Sequence, residues 1–375
     1  MDKKLKVMTI LGTRPEIIRL SEVIKACDKA FDHILVHTGQ NYAYELNGVF
    51  FEELGLRQPN YTLNCVGKNL GETMGNVIAK TYDLINEVKP DAILILGDTN
   101  SALSAISAKR LKCPIFHMEA GNRCWDWNVA EMTNRVIVDH IADINLPYSH
   151  VAYDNLIGEG MPKERTFITG SPMKEVLLAH HKQIEESNIL SSLGLKKDGY
   201  IIISAHREEN LDIKAKFLSL FTALNDIADK FQIPVIFSTH PRTRKKLEAE
   251  GFTLSKYIRE EKPFGFFEYI KLEENAFIVL SDSGTLTEES SILNFPAVLI
   301  RTSTERQEGI IHGSMVLGQV EEGPIEAAIR KARCIHTTDT KLSIVPDYDV
   351  INVSNSVVDL IKRYVGVVKH DTWLE

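Results

Sequence analysis

The sequence predicts two doubly wound α/β domains of similar size, each a parallel sheet with helices on both faces. Three observations carry this. Short apolar runs alternate with segments of helical periodicity along nearly the whole chain. The runs are almost continuous in Val, Ile and Leu, as in strands covered on both faces, instead of alternating with polar residues. The pattern breaks and restarts near residue 172, giving domains at 1–172 and 173–363. The length of 375 residues fits two cores, because one core stops growing at roughly 250–300 residues.

The first half reads as strand Lys6–Leu11, a turn at Gly12-Thr13-Arg14-Pro15-Glu16 with Pro15 suited to a first helical turn, and a helix to about Cys27. Strand His33–Thr38 ends in Gly39-Gln40-Asn41, and a helix covers Met74–Val88. Strand Asp91–Leu96 stops at Gly97-Asp98-Thr99, strand Pro114–Met118 at Glu119-Ala120-Gly121. Helix Glu131–Ala142 and strand Asp143–Leu146 follow, with a charged helix around Lys174–Glu186 bridging the halves. The second half repeats the habit with strands Tyr200–Ser204, Val235–Ser238, Phe277–Leu280 and Ala297–Ile300.

Composition excludes several function classes. The formal net charge of -8 argues against a general nucleic-acid or anionic-membrane binder and leaves room for a local basic pocket. Lys6 opens a strand with no long apolar run before it, so neither a secretory signal nor membrane insertion is expected. The five cysteines are scattered, odd in number and lack CxxC spacing, which predicts reduced thiols, no structural zinc site and a cytoplasmic setting. The glycine patterns of a nicotinamide fingerprint or a P-loop are absent.

Polar residues recur just past the strand ends: Arg14, Gln40, Asp98, Glu119, His206, His240, Ser283 and Arg301. Open α/β sheets bind ligands outside the carboxyl ends of their strands. Two such domains facing a cleft would line it from both sides. Asp98 and Glu119 would converge if their strands are neighbours, and clustered carboxylates can be driven to different pKa values. The plainer reading makes Asp98 a helix cap and Glu131 a complement to a helix dipole. His206 suits acid–base work or phosphate contact, or is a solvated loop residue. His240 invites the same pair of readings. Arg19 reads as surface charge. In Ser281–Ser291, Ser283 is a candidate N-cap and Gly284 admits a ligand near the backbone, so the helix start could hold an anion.

Taken together, Gly12-Thr13-Arg14-Pro15-Glu16, Thr38-Gly39-Gln40, Gly97-Asp98-Thr99, His117-Met118-Glu119-Ala120-Gly121, Asp282-Ser283-Gly284 with Glu288-Glu289, and Thr304-Glu305-Arg306 resemble the non-hydrolysing UDP-N-acetylglucosamine 2-epimerase family. Wording such as Met118-Glu119-Ala120-Gly121-Asn122-Arg123-Cys124 is similar to its UDP-N-acetyl-L-fucosamine branch. The resemblance implies a GT-B-like architecture, a C-terminal helix at about 364–375 packing back on the first domain, a homodimer, a UDP-sugar substrate and no cofactor or metal. It implies C2 epimerisation through a 2-acetamidoglycal, in surface-polysaccharide precursor synthesis (capsule or O-antigen). Asp98, Glu119 and Glu131 would handle the C2 proton, with His206 and Arg14 offsetting charge on the departing phosphate. Ser283, Gly284 and Thr285 would hold pyrophosphate and Glu289 the ribose. Arg19, Gln40, His240 and Arg306 would complete the UDP-sugar contacts. The chain departs from the family at Ala130 and Met132, where Pro and Glu are usual, and at Gln307, where Pro is usual. The competing readings are a GT-B-type glycosyltransferase and a non-catalytic UDP-sugar-binding protein. Incubation with a UDP-sugar alone separates them.

Overall fold

The computed structural model describes residues 4–39, 48–337 and 342–374. The chain forms two compact units, Met1–Ala179 with Asp347–Glu375, and His180–Pro346.

The first unit holds β1 (Lys6–Leu11), β2 (Asp32–His37), β3 (Tyr61–Thr62), β4 (Ala92–Leu96), β5 (Ile115–Met118) and β6 (Ile144–Leu146). They form one sheet in the order β3-β2-β1-β4-β5-β6. Every pairing is parallel. Parallel neighbours need a crossover, and the intervening helices supply it. The chain runs outward from β1 in one direction, then returns to lay β4 on β1's other side. The resulting switch point between β1 and β4 leaves a crevice outside the strand ends, where sheets of this kind bind ligands. Met8, Ile10, Ile93, Ile95 and Ile115 make the centre of the core.

The second unit holds β7 (Ile201–Ser204), β8 (Val235–Ser238), β9 (Ile258–Glu261), β10 (Ile278–Ser281), β11 (Ala297–Leu299) and β12 (Val316–Leu317). Its order, β12-β11-β10-β7-β8-β9, is the same plan with the switch point between β7 and β10. Here too all pairings are parallel. The expected doubly wound α/β fold is therefore present in both halves.

The strand ends agree with the sequence reading to within one residue. The short strands β3, β9 and β12 were not expected. The unit boundary also differs from residue 172. The bridging helix is two helices, Met173–Ala179 and His181–Glu185, and the first packs on helix Arg14–Ala30 of the first unit. The last helix is longer than 364–375. It spans Val353–Trp373, and the first unit takes back the chain from Asp347. The last helix also packs on helix Arg14–Ala30, with Phe167 and Tyr364 rings 4.8 Å apart and Lys369 paired to Asp91 at 3.0 Å. No described helix is long and apolar enough to cross a membrane.

Candidate active site

In the first unit the chemistry collects beyond β1, β4 and β5. Asp98 and Glu119 follow neighbouring strands, and Arg135 holds both. Its Nη2 donates to Asp98 Oδ2 at 2.6 Å and to Glu119 Oε1 at 2.8 Å, and Nε reaches Asp98 at 3.0 Å. Arg135 also donates to the Glu119 carbonyl, and Arg19 donates to the other Glu119 oxygen. Burial opposes the charge on Arg135, but Asp98 and Glu119 raise its pKa further above the ordinary arginine value. Both arginines are buried, so their pairs are little screened by solvent. Glu119 has φ +61°, a left-handed conformation that costs a non-glycine residue about 1–3 kcal/mol and marks functional sites. Asn134 Nδ2 donates to the Asp98 carbonyl at 3.0 Å, tying helix Glu131–Ile141 to the β4 loop. Glu131 is the first residue of that helix and lies four positions before Arg135, hence on the same face.

Glu16 lies just past β1, its carboxyl also meeting the side chain of Thr99, the residue after Asp98. One carboxyl oxygen accepts the Gly12 N–H at 3.1 Å, the Thr13 N–H at 2.8 Å and the Thr13 hydroxyl at 2.7 Å. Burial pushes this carboxyl up to about 7 against those hydrogen bonds. Elsewhere in the unit Thr9, His33 and Asp28 form a hydroxyl–imidazole–carboxylate chain with steps of 2.8 and 2.5 Å. Thr9 is wholly buried inside β1, so this chain cannot reach a substrate and braces the sheet instead.

The second unit builds its site mainly from backbone. Asp282, wholly buried after β10, accepts the N–H groups of His206 and Arg207, each at 2.9 Å. It also faces His206 Nδ1 at 3.2 Å. Burial raises its pKa, but His206 and Arg207 bring the net value below the usual carboxylate range. A Cβ placed on Gly284 would lie 3.0 Å from Glu305 Oε1, with Arg207 and Arg306 guanidinium nitrogens at 3.7 Å. Glu305 is clasped by Arg301 at 2.9 Å and Arg207 at 3.4 Å. Those charges hold it far below the ordinary range despite its burial. Arg306 pairs with buried Glu288 at 3.2 Å.

A family model described as UDP-N-acetylglucosamine 2-epimerase matches residues 25–362. This chain belongs to that family. It is 35% identical over 333 residues to the UDP-N-acetylglucosamine 2-epimerase of Methanocaldococcus jannaschii, covering 86% of this chain and 91% of the relative. It is equally identical, over 331 residues, to a UDP-2,3-diacetamido-2,3-dideoxy-D-glucuronate 2-epimerase of Pseudomonas aeruginosa, with the same coverage. The solved UDP-N-acetylglucosamine 2-epimerase of Rickettsia bellii matches with a TM-score of 0.91 at 44% identity, over 99% of this chain and all of that one. The Methanocaldococcus jannaschii enzyme in complex with UDP-GlcNAc and UDP matches at 0.89 and 31% identity, over 96% of this chain and all of that one.

Against these epimerases the motif departures look mild. Ala130 has φ −57°, close to the angle a proline ring would fix, and helix Glu131–Ile141 starts where expected. Met132 is buried. Gln307 opens helix Gln307–His312 at the position that tolerates proline best. The structure brings Asp98 and Glu119 together, and Arg19 is buried against Glu119 instead of serving as surface charge. Arg14 lies over the Phe50 ring at 5.7 Å. Ser283 is not the N-cap. Helix Leu286–Leu293 starts after Thr285, and the Ser283 hydroxyl is engaged with the Thr285 hydroxyl at 2.9 Å. Glu289 is buried in that helix. His240 caps helix Pro241–Glu250, its Nδ1 accepting the Arg242 N–H, and its ring lies 6.3 Å from that of His206. Gln40 lies outside the described residues. Sequence reasoning passed over Arg135, Glu16 and Asp282. The i, i+4 spacing of Glu131 and Arg135 was the available signal for the first.

Proposed function

We propose that this chain inverts C2 of a UDP-2-acetamido sugar by removing and re-adding UDP. The observation that carries the reading is the pair Asp98 and Glu119, bridged by Arg135 at adjacent strand ends. C2 has no neighbouring carbonyl, so its proton is not acidic. Loss of UDP from C1, with its C–O electron pair, together with the C2 proton, gives a 2-acetamidoglycal. UDP then returns to C1 while a proton is delivered to the opposite face of C2.

We assign the proton work to Asp98, Glu119 and Glu131, since grouped carboxylates with different surroundings can act as base and acid. Arg19 holds one Glu119 oxygen and Arg135 the other, so the carboxylate is fixed from two sides. We assign UDP to the second unit. Its pyrophosphate would lie against Gly284 and the backbone at Ser283–Thr285, balanced by Arg306, with the ribose on Glu289. His206 and Arg14 would offset charge on the leaving phosphate. Preorganised donors of this kind supply about 3–4 kcal/mol each. The UDP-GlcNAc and UDP complex of the Methanocaldococcus jannaschii relative supports this choice of ligand.

The substrate is of the UDP-GlcNAc/UDP-ManNAc type or UDP-2-acetamido-2,6-dideoxy-L-talose, the second giving UDP-L-FucNAc. Its product would serve surface-polysaccharide synthesis. Incubation with each sugar alone in deuterated water, followed by NMR, tests the reading. The epimerised product should carry deuterium at C2, and epimer formed without it would sink the mechanism.

A further inference from the structure

Behind Asp98 and Glu119 lies a second charged group that the reaction does not touch. His117, inside β5, and Asp139, on helix Glu131–Ile141, are both wholly buried. His117 Nε2 reaches the Gly97 carbonyl at 2.7 Å, one residue before Asp98. Its Nδ1 faces Asp139 Oδ1 at 2.9 Å. The other Asp139 oxygen accepts the Gly121 N–H at 3.1 Å, two residues after Glu119, and Arg123 Nη1 at 2.6 Å. Asn145 Nδ2 donates to the Asp139 carbonyl at 2.9 Å, and Arg123 is anchored on Glu159 by two bonds of 2.7 Å.

We propose that His117 and Asp139 form a buried positioning pair that fixes the spacing between the Asp98 and Glu119 loops. This rests on reading those two carboxylates as the proton-handling groups. Asp139 grips one loop directly through Gly121 and the other through the imidazole and Gly97. Both loops leave their strands through left-handed glycines, Gly97 at φ +71° and Gly121 at φ +83°, so the backbone needs an external tie at these turns. A Cβ on Gly121 would meet the Ala152 carbonyl at 2.2 Å, which shows how closely that loop is seated. Burying an ion pair is weak support for stability, whereas fixing a geometry is the better-attested use. Donor chemistry specifies the ring. A carbonyl oxygen only accepts, so Nε2 donates. Nδ1 faces the Asp139 carboxylate, which only accepts. Asp139 is suited to that role, because His117, Arg123 and Arg135 hold its carboxyl below the usual range although burial pushes it up.

Two variants of one residue test the pair. His117→Gln places an amide N–H near the former Nε2 and keeps a donor for the Gly97 carbonyl. His117→Asn is shorter and keeps contact only with Asp139. Misplacement of a catalytic group by about 1 Å costs about 100-fold, so kcat should fall by about that factor in His117→Asn, with KM and UDP affinity unchanged. His117→Gln should retain most of kcat. Equal losses in both, or losses that follow thermal stability and not the surviving bond, would overturn the proposal. The ring nitrogens, observed by NMR of protein with 15N-labelled histidine and assigned by their absence from His117→Gln, should show a proton on Nε2, the donor to the Gly97 carbonyl. A bare Nε2 would overturn it as well. Full turnover in Asp98→Asn would instead defeat the underlying reading of the site, and the ring spectrum tells the two failures apart.

Discussion

The two units share one sheet plan but build their strand-end sites from different material. Beyond β4 and β5 of the first unit, carboxylates are cross-braced by buried arginines, so side chains carry the geometry. Beyond β7 and β10 of the second, a buried aspartate gathers backbone N–H groups and a glycine leaves room beside an arginine cluster. A site that moves protons needs groups whose charge can change. A site that holds a nucleotide needs fixed donors and space. The same switch point serves either purpose, depending on which residue follows the strand.

Breaking the side-chain bracing should have the largest effect. Arg135→Met leaves two carboxylates at the site without their shared cation, and removing one partner of a buried pair costs about 3–5 kcal/mol. Urea unfolding should report that loss together with near-complete loss of turnover. Asp98→Asn and Glu119→Gln should each lower turnover by about 10²–10⁴-fold, the scale of general acid–base effects, with UDP binding preserved in calorimetry. Comparable loss of UDP affinity in these variants would erase the division of labour between the units.

Glu16 sharpens the contrast through pH. Its folded pKa of about 7 lies above the ordinary glutamate value of 4.5, so the native state holds this proton more tightly than the unfolded chain. Stability from this group is full below 4.5 and is lost as pH rises from 4.5 to about 7. Glu16→Gln should flatten that part of the profile, by roughly 3 kcal/mol at most. A denaturation series from pH 5 to 8 checks the slope, and an unchanged slope would remove Glu16 as its source. The smallest effect belongs to the second unit. Gly284→Ala pushes a methyl to 3.0 Å from Glu305, tighter than ordinary contact. The crowding costs about 1–3 kcal/mol, which should appear as a roughly 5- to 150-fold loss of UDP affinity with little change in the first unit.

Much of this was legible beforehand, for physical reasons that also explain the gaps. Central strands such as Ile201–Ser204 are covered on both faces and read as unbroken apolar runs. Edge strands Tyr61–Thr62 and Ile258–Glu261 are short and largely exposed, so they leave no such trace. Asp98 and Glu119 were visible because a carboxylate straight after an apolar strand has few structural uses. Arg135 was not, and Arg19 was named only through the resemblance, because an arginine in an amphipathic helix normally faces water, and only the fold reveals that these two point inward. His117 was hidden inside a strand among apolar neighbours. Ser283 misled because a serine before a helix usually caps it, whereas here its hydroxyl is engaged with Thr285.

The return of residues from Asp347 to the first unit has a consequence for synthesis. The Ser171 N–H donates to the Asp347 carbonyl at 3.0 Å, so the chain leaves and re-enters that unit at nearby points. His180–Pro346 is thus an insertion within a domain whose closing helix, Val353–Trp373, is made after it. Helix Arg14–Ala30 must wait for that partner until the whole insertion has been synthesised. The unit that is begun first is therefore completed after the second, and loss of Val353–Trp373 strikes the N-terminal core.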